Sequence, residues 1–353
     1  MTCHWISGLI GLVFSAAALA PDTVNACQVC IPVPEKSAAD HIIAADTVVL
    51  AREDPAEPFS FRAVEVLKGK IETPGIELFV NSSTRRWLAA DQDRSVVLIK
   101  SESETSDPRW RSLGLASPRY ITVVREILDR SDQWRGGPAA QARRAAFFMP
   151  YLDTDDSGLH DLAYLEVGRA PYGVLRHADR HVRPERVKVF LGNLQYFEWQ
   201  SLYILLLGVN ATDAERAEIR ARMASRAETG SDLHLAPWAT ALIEIDGADG
   251  VAWLERKYLA PGAADPALAA EIVKAFSVHG SLGPGALRRR IVEAYGLALA
   301  HHPELAGPVA QDLAIWRDWG LSETLSRLRE AGVVAEGAPA YAVDYYLGLA
   351  VTD

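Results

Sequence analysis

The hydrophobic period of this chain changes once, and that change restricts the fold more than any other feature. From about residue 37 to 130 apolar residues come in short β-branched or aromatic runs separated by turn residues, which predicts strands. The runs are Thr47–Leu50, Phe59–Leu67, Ile76–Val80, Val96–Ile99 and Tyr120–Val124. In the second run Phe59, Phe61 and Ala63 share one face and then Val64 and Val66 take it over, so a β-bulge is expected to bend a long strand. Lys68-Gly69-Lys70 then turns the chain back. Ser37 is placed to cap a short helix ahead of the first strand, with Ala38, Ile42 and Ala45 on one face.

Around Gly136-Gly137-Pro138 the period becomes 3.6 and stays so to about residue 332. Val187, Phe190, Leu191 and Leu194 fall at helical spacing after Pro184, and Trp199, Leu202, Tyr203 and Leu206 repeat it. Thr212 and Glu215 form a capping box before Ile219 and Met223. Asp265-Pro266 opens a helix carrying Leu268, Ile272, Ala275 and Phe276; Leu287, Ile291, Ala294 and Tyr295 make one further stripe.

A chain of 353 residues exceeds what one core ordinarily supports. The expected fold class is therefore α+β and multidomain: a small five-stranded barrel of the oligonucleotide/oligosaccharide-binding (OB) type at 27–130, a linker at 131–137, an all-α HEAT-like helical-repeat (α-solenoid) domain at 138–332 and a C-terminal tail at 333–353. A small sandwich fits the strand pattern as well as a barrel does. No strict repeat length is present, so an irregular helical bundle fits the second half too.

Residues 6–20 form an apolar run too short to span a bilayer, followed by Val24 and Ala26 at the positions a leader peptidase reads. Residues 1–26 are thus predicted to be a signal peptide cleaved after Ala26, although the first five residues carry no Lys or Arg. The expected location is exported, periplasmic or extracellular. Val24-Asn25-Ala26-Cys27 also fits a lipobox, which would anchor Cys27 in lipid, but Pro21 and Asp22 separate it from the apolar run and favour a soluble product. No other stretch is long and apolar enough for a transmembrane helix. Without residues 1–26 the cysteines are Cys27 and Cys30, and a short disulfide is the expected state in an oxidising compartment.

The formal charge is −10, or −9 without residues 1–26, so nucleic acid is not an expected partner. Catalytic, cofactor and metal residues are not identified. The nucleophile-elbow, dinucleotide, phosphate-loop and His-Glu-x-x-His patterns do not occur. His177 and His181 have helical metal spacing but no third ligand in pattern, and His301-His302-Pro303 has the composition of a helix end. Asp153, Asp155 and Asp156 resemble a calcium loop with Gly158 at its sixth place, but Tyr164 stands where the terminal glutamate belongs. Trp199, Tyr203, Trp238, Trp253, Trp316 and Trp319 have core spacing, the last two also suiting a concave binding face.

Cys27-Gln-Val-Cys30-Ile31-Pro32-Val33-Pro34, the helix ending in Ile42-Ile43-Ala44-Ala45-Asp46, the strand Thr47–Leu50 and the later Val64-Glu65-Val66-Leu67-Lys68-Gly69 together resemble the netrin-type barrel of tissue inhibitors of metalloproteinases and its bacterial relatives. The resemblance covers about residues 27–128. It implies an OB-type barrel and places Cys27 where those inhibitors chelate a protease's zinc through the N-terminal amine and carbonyl. This chain departs from the pattern in its Cys-x-x-Cys spacing and in having no downstream cysteines. The favoured function is non-catalytic binding of a protein partner, through a helical-repeat surface that the barrel docks or orients. Inhibition of an exported metalloprotease through Cys27 is the alternative, and an enzyme of another type the third reading, which requires a cleft holding strongly perturbed titratable groups.

Overall fold

A computed structural model describes residues 36–101, 109–177, 182–262 and 265–352. Ser37 starts the first helix, α1 (Ala38–Ala44), through a capping box with Asp40, and Ala39, Ile42 and Ala45 are buried beneath it. Five strands follow: β1 (Thr47–Glu53), β2 (Ser60–Lys68), β3 (Gly75–Phe79), β4 (Ser95–Lys100) and β5 (Trp110–Ala116), with helix α2 (Ser82–Ala90) between β3 and β4. They form one antiparallel sheet in the order β3-β2-β1-β4-β5, curled into a half-barrel. Its first and last strands, β3 and β5, come within 8 Å of each other.

The central strands are buried on both faces, which explains their unbroken apolar runs. Val48, Leu50, Val97 and Ile99 join the core that continues into the helices. Val49, Ala51, Val96 and Leu98 face the inside of the curl with Phe61, Ile76, Val80 and, from α2, Leu88. The expected bend is present. Ala51 opposes Ala63 and Leu50 opposes Glu65, leaving Val64 unopposed; Leu67 is bypassed in the same way between Val49↔Val66 and Val48↔Lys68.

One strand was misplaced by its composition. Tyr120–Val124 lies in helix α3 (Pro118–Arg130), and the fifth strand is Trp110–Ala116. Ser117 caps α3 by accepting from Tyr120 N (3.0 Å), Pro118 fits its first turn, and Tyr120, Val123, Val124 and Ile127 are buried at helical spacing. Tertiary burial of that stripe overrides the β preference of valine and isoleucine.

The expected linker is structured too. Ser131–Trp134 is a single 3-10 turn, and buried Trp134 belongs to the core shared by the sheet and the helices. Then come α4 (Pro138–Phe148), α5 (Ser157–Gly168), α6 (Tyr172–Leu175), α7 (Pro184–Leu191), α8 (Gln200–Val209), α9 (Asp213–Thr229), α10 (Leu235–Asp246), α11 (Ala248–Leu254), α12 (Pro266–Gly280), α13 (Ala286–His301), α14 (Ala306–Trp316), α15 (Ser322–Glu330) and α16 (Ala338–Thr352). Helices α8, α10, α12, α14 and α16 pack each on the next in a row. Gly208 permits this between α8 and α10, since a Cβ there would stand 3.0 Å from the Ala241 Cα.

The capping box at Thr212 and Glu215 and the Asp265 cap, which accepts from Ala267 N at 2.8 Å, are as expected. Leu194 is not part of the α7 stripe: that helix ends at Leu191, and Leu194 is 84% exposed. The expected C-terminal tail contains α16, whose Val343 and Tyr346 are buried. Among the described residues no helix is long and apolar enough to cross a membrane.

Candidate functional site

Ala26, Cys27 and Cys30 lie outside the described residues, as does His181. His177 is exposed just beyond α6, with Nδ1 2.9 Å from the Gly173 carbonyl oxygen. The aspartates at 153–156 are taken up by structural partners: Asp153 pairs with Arg183 (2.8 Å), Asp155 with Arg186 (2.6 Å), and Asp156 caps α5 by accepting from Leu159 N (3.0 Å). Trp316 is buried, stacks on Tyr295 with ring centres 5.8 Å apart, and covers Gly280 so closely that a Cβ there would overlap its ring. Trp319 packs on Tyr346. Both tryptophans therefore serve packing.

Among the described residues, the end of α1, the start of β1 and the Lys68-Gly69 turn, which carried part of the family resemblance, meet in space. Lys68 Nζ donates to the Ile43 carbonyl at the end of α1 (2.8 Å), and Val48 pairs with Lys68. Gly69, at φ 75°, lies against the Asp46 carbonyl, where any Cβ would overlap it. Their role is to join α1 to the sheet.

Sequence reasoning missed a second junction, formed by charges. Arg144 of α4 grips Glu166 of α5 with two hydrogen bonds (2.6 and 2.8 Å) and reaches Asp40 of α1 (2.6 Å), while Arg169 donates to Asp40 as well (2.8 Å). The Ser37 hydroxyl donates to Glu166, whose side chain is fully buried. Burial would raise the Asp40 carboxyl, but the Ser37 N–H, the Arg169 hydrogen bond and the two guanidinium charges pull it down to about 2. Separations of 22 residues between Arg144 and Glu166, and of 104 to 129 residues from these helices back to α1 and its cap, hide this network from local patterns.

The exposed feature with the most built geometry lies at the open end of the half-barrel. Phe59 has φ 71°, a conformation bulky residues avoid, and the residue is 43% exposed. The backbone is fixed there: Phe59 N donates to Glu53 Oε1 (3.1 Å) and Phe59 O accepts from Val80 N (2.8 Å). Its ring lies parallel to that of Phe79, centres 6.0 Å apart, and Phe79 is 69% exposed. The Arg85 guanidinium sits 4.1 Å from the centre of the Phe59 ring and binds Glu53 (2.6 Å).

Beside this platform is an open groove of about 400 Å³ between the β1–β2 loop and α2, lined by Arg52, Glu53, Asp54, Pro58, Arg85 and Leu88. Arg52 closes its floor by donating to the Leu88 carbonyl (2.6 Å) and to those of Gln92 (2.8 Å) and Arg94, which satisfies the end of α2. In sequence the Phe59–Leu67 and Ile76–Val80 runs each held one ring of the platform, but nothing paired them. The stack depends on the β2–β3 pairing, where Ser60 opposes Phe79.

The arrangement offers flat apolar faces beside a groove in which Glu53 is paired with Arg85 and Arg52 is held by backbone carbonyls. Comparison with known proteins finds no matching family model, no matching curated protein and no matching solved structure.

Proposed function

We propose that this chain is an exported, non-catalytic binding protein whose half-barrel docks on a protein partner through the Phe59–Phe79 platform, with the helical half serving as a HEAT-like scaffold behind it. The carrying observation is Phe59: a large ring kept exposed on a left-handed backbone by Glu53 and Val80, at a site where glycine would be the unstrained choice. A partner segment presenting an aromatic or proline side chain would stack on the paired rings and settle in the adjoining groove. The strand order β3-β2-β1-β4-β5, with its edge strands near each other, supports reading the sheet as an OB-type, netrin-like barrel opened at one seam. The row from α8 to α16 supports an α-solenoid. The signal-like residues 1–26 support export.

The test compares the proteins retained from an envelope extract of the native host by the wild-type chain and by a Phe59→Ser/Phe79→Ser variant, after circular dichroism shows both folded. A partner held by the wild type and lost at least tenfold by the variant supports the platform. Equal retention overturns it.

A further inference from the structure

Among the helices, a second cleft has a different chemistry. It measures about 190 Å³ and lies between α12 and the segment running from Leu305 into α14. Ala270, Val273, Leu305 and Pro308 give it apolar walls, with Lys274 and Gln311 also lining it. Asp312 lines it as well and is 6% exposed. Ser277 of α12 donates to one Asp312 oxygen (2.6 Å) and Tyr295 of α13 to the other (2.6 Å). A carboxylate accepts about four hydrogen bonds, so two hydroxyls leave half of that capacity open.

No cation balances this carboxylate among the described residues. Burial pushes the Asp312 carboxyl up to about 6, against the two hydroxyl hydrogen bonds that lower it, and no charged neighbour acts on it. Lys274 on α12 is already bound to Glu271 (2.5 Å), and Asp344 of α16, which also packs on α14, is bound to Arg329 (2.9 Å). Burial and the neighbouring Asp312 hold the Tyr295 hydroxyl well above its ordinary range, so it remains a donor. A buried anion without a counter-charge is costly, and a cavity that opens onto it lets a ligand supply the charge.

We infer that this cleft binds a small primary alkylammonium, with the ammonium on Asp312 and the alkyl chain along Ala270, Val273, Leu305 and Pro308. The volume corresponds to roughly six water molecules at about 30 Å³ each, which suits a chain of about four carbons. Binding draws on the ionised carboxylate, so it strengthens as pH rises through the titration of Asp312.

The full chain, freed of residues 1–26, is titrated calorimetrically with n-butylammonium chloride and, separately, with the neutral n-butanol, at pH 5 and pH 7.5. The ammonium is expected to bind about tenfold more tightly at the higher pH, because a carboxyl titrating near 6 is about one-tenth ionised at pH 5. Butanol should bind more weakly, with no pH dependence. Asp312→Asn should abolish ammonium binding. Ala270→Trp, a change at the half-buried rim that leaves the carboxylate intact, should block it even if Asp312→Asn misfolds. Absent ammonium binding, equal binding of alcohol and ammonium, a pH-independent affinity, or binding that survives Ala270→Trp would each overturn the assignment.

Discussion

Two buried carboxylate clusters hold this molecule together by opposite means. At the junction of α1, α4 and α5, Asp40 and Glu166 share Arg144, with Arg169 added on Asp40. In the helical row, Asp312 has two hydroxyls and, among the described residues, no cation. The first cluster is charge-matched and locks one element to another. The second leaves a charge unmatched beside a cavity, so its energy responds to protons and to whatever enters. Burial alone therefore does not define a site; a buried charge becomes responsive when its counter-charge is missing and solvent space reaches it.

The largest expected effect comes from breaking the matched cluster. Arg144→Met strands the fully buried Glu166 with only the Ser37 hydroxyl, and should cost about 3–5 kcal/mol in denaturant unfolding at pH 7. Adding Glu166→Leu to that variant should restore most of the loss. A single-variant loss under about 1 kcal/mol would show that the network carries no weight.

The unmatched cluster should respond with the opposite sign. The folded state holds the Asp312 proton to about pH 6 and the unfolded chain releases it near 3.8, so stability falls as pH rises between these values. Asp312→Asn removes that penalty, and its stability relative to wild type should improve by up to about 3 kcal/mol between pH 3 and pH 8. Parallel pH–stability curves for the two proteins would contradict the buried, unmatched charge.

Asp40 should give the smallest change. Its folded carboxyl titrates near 2, so its stabilisation is present above about pH 4 and lost as pH falls toward 2. Asp40→Asn should cost about 1–2 kcal/mol at pH 7 once partial exposure is allowed for, and almost nothing at pH 2. A loss independent of pH would assign Asp40 a packing role instead of an electrostatic one.

Much of the architecture is legible locally. The caps at Ser37, Thr212 and Asp265 and the phase shift at Val64 each lie within a few residues of what they control. Where reading failed, local preference met a tertiary demand: Ile121, Val123 and Val124 look like strand residues, yet Ser117 and Pro118 had already marked the helix that buries them. Residues 338–352 looked like a tail because their stripe becomes meaningful only against α14, where Gly307 admits Pro339. The platform and the cleft were not legible. Phe59 and Phe79 stack across a strand pairing, and Asp312 meets Ser277 and Tyr295 over 35 and 17 residues.

By itself the sequence determined the division into a sheet-forming and a helix-forming half, because hydrophobic period and caps act over one or two turns of chain. Only the tertiary structure decided that one core runs through both halves, that Arg144 joins them, and that Asp312 lies buried on two hydroxyls with no counter-ion among the described residues. Charge pairing, cavity shape and desolvation depend on which distant residues come to share one small volume, and no local pattern encodes that.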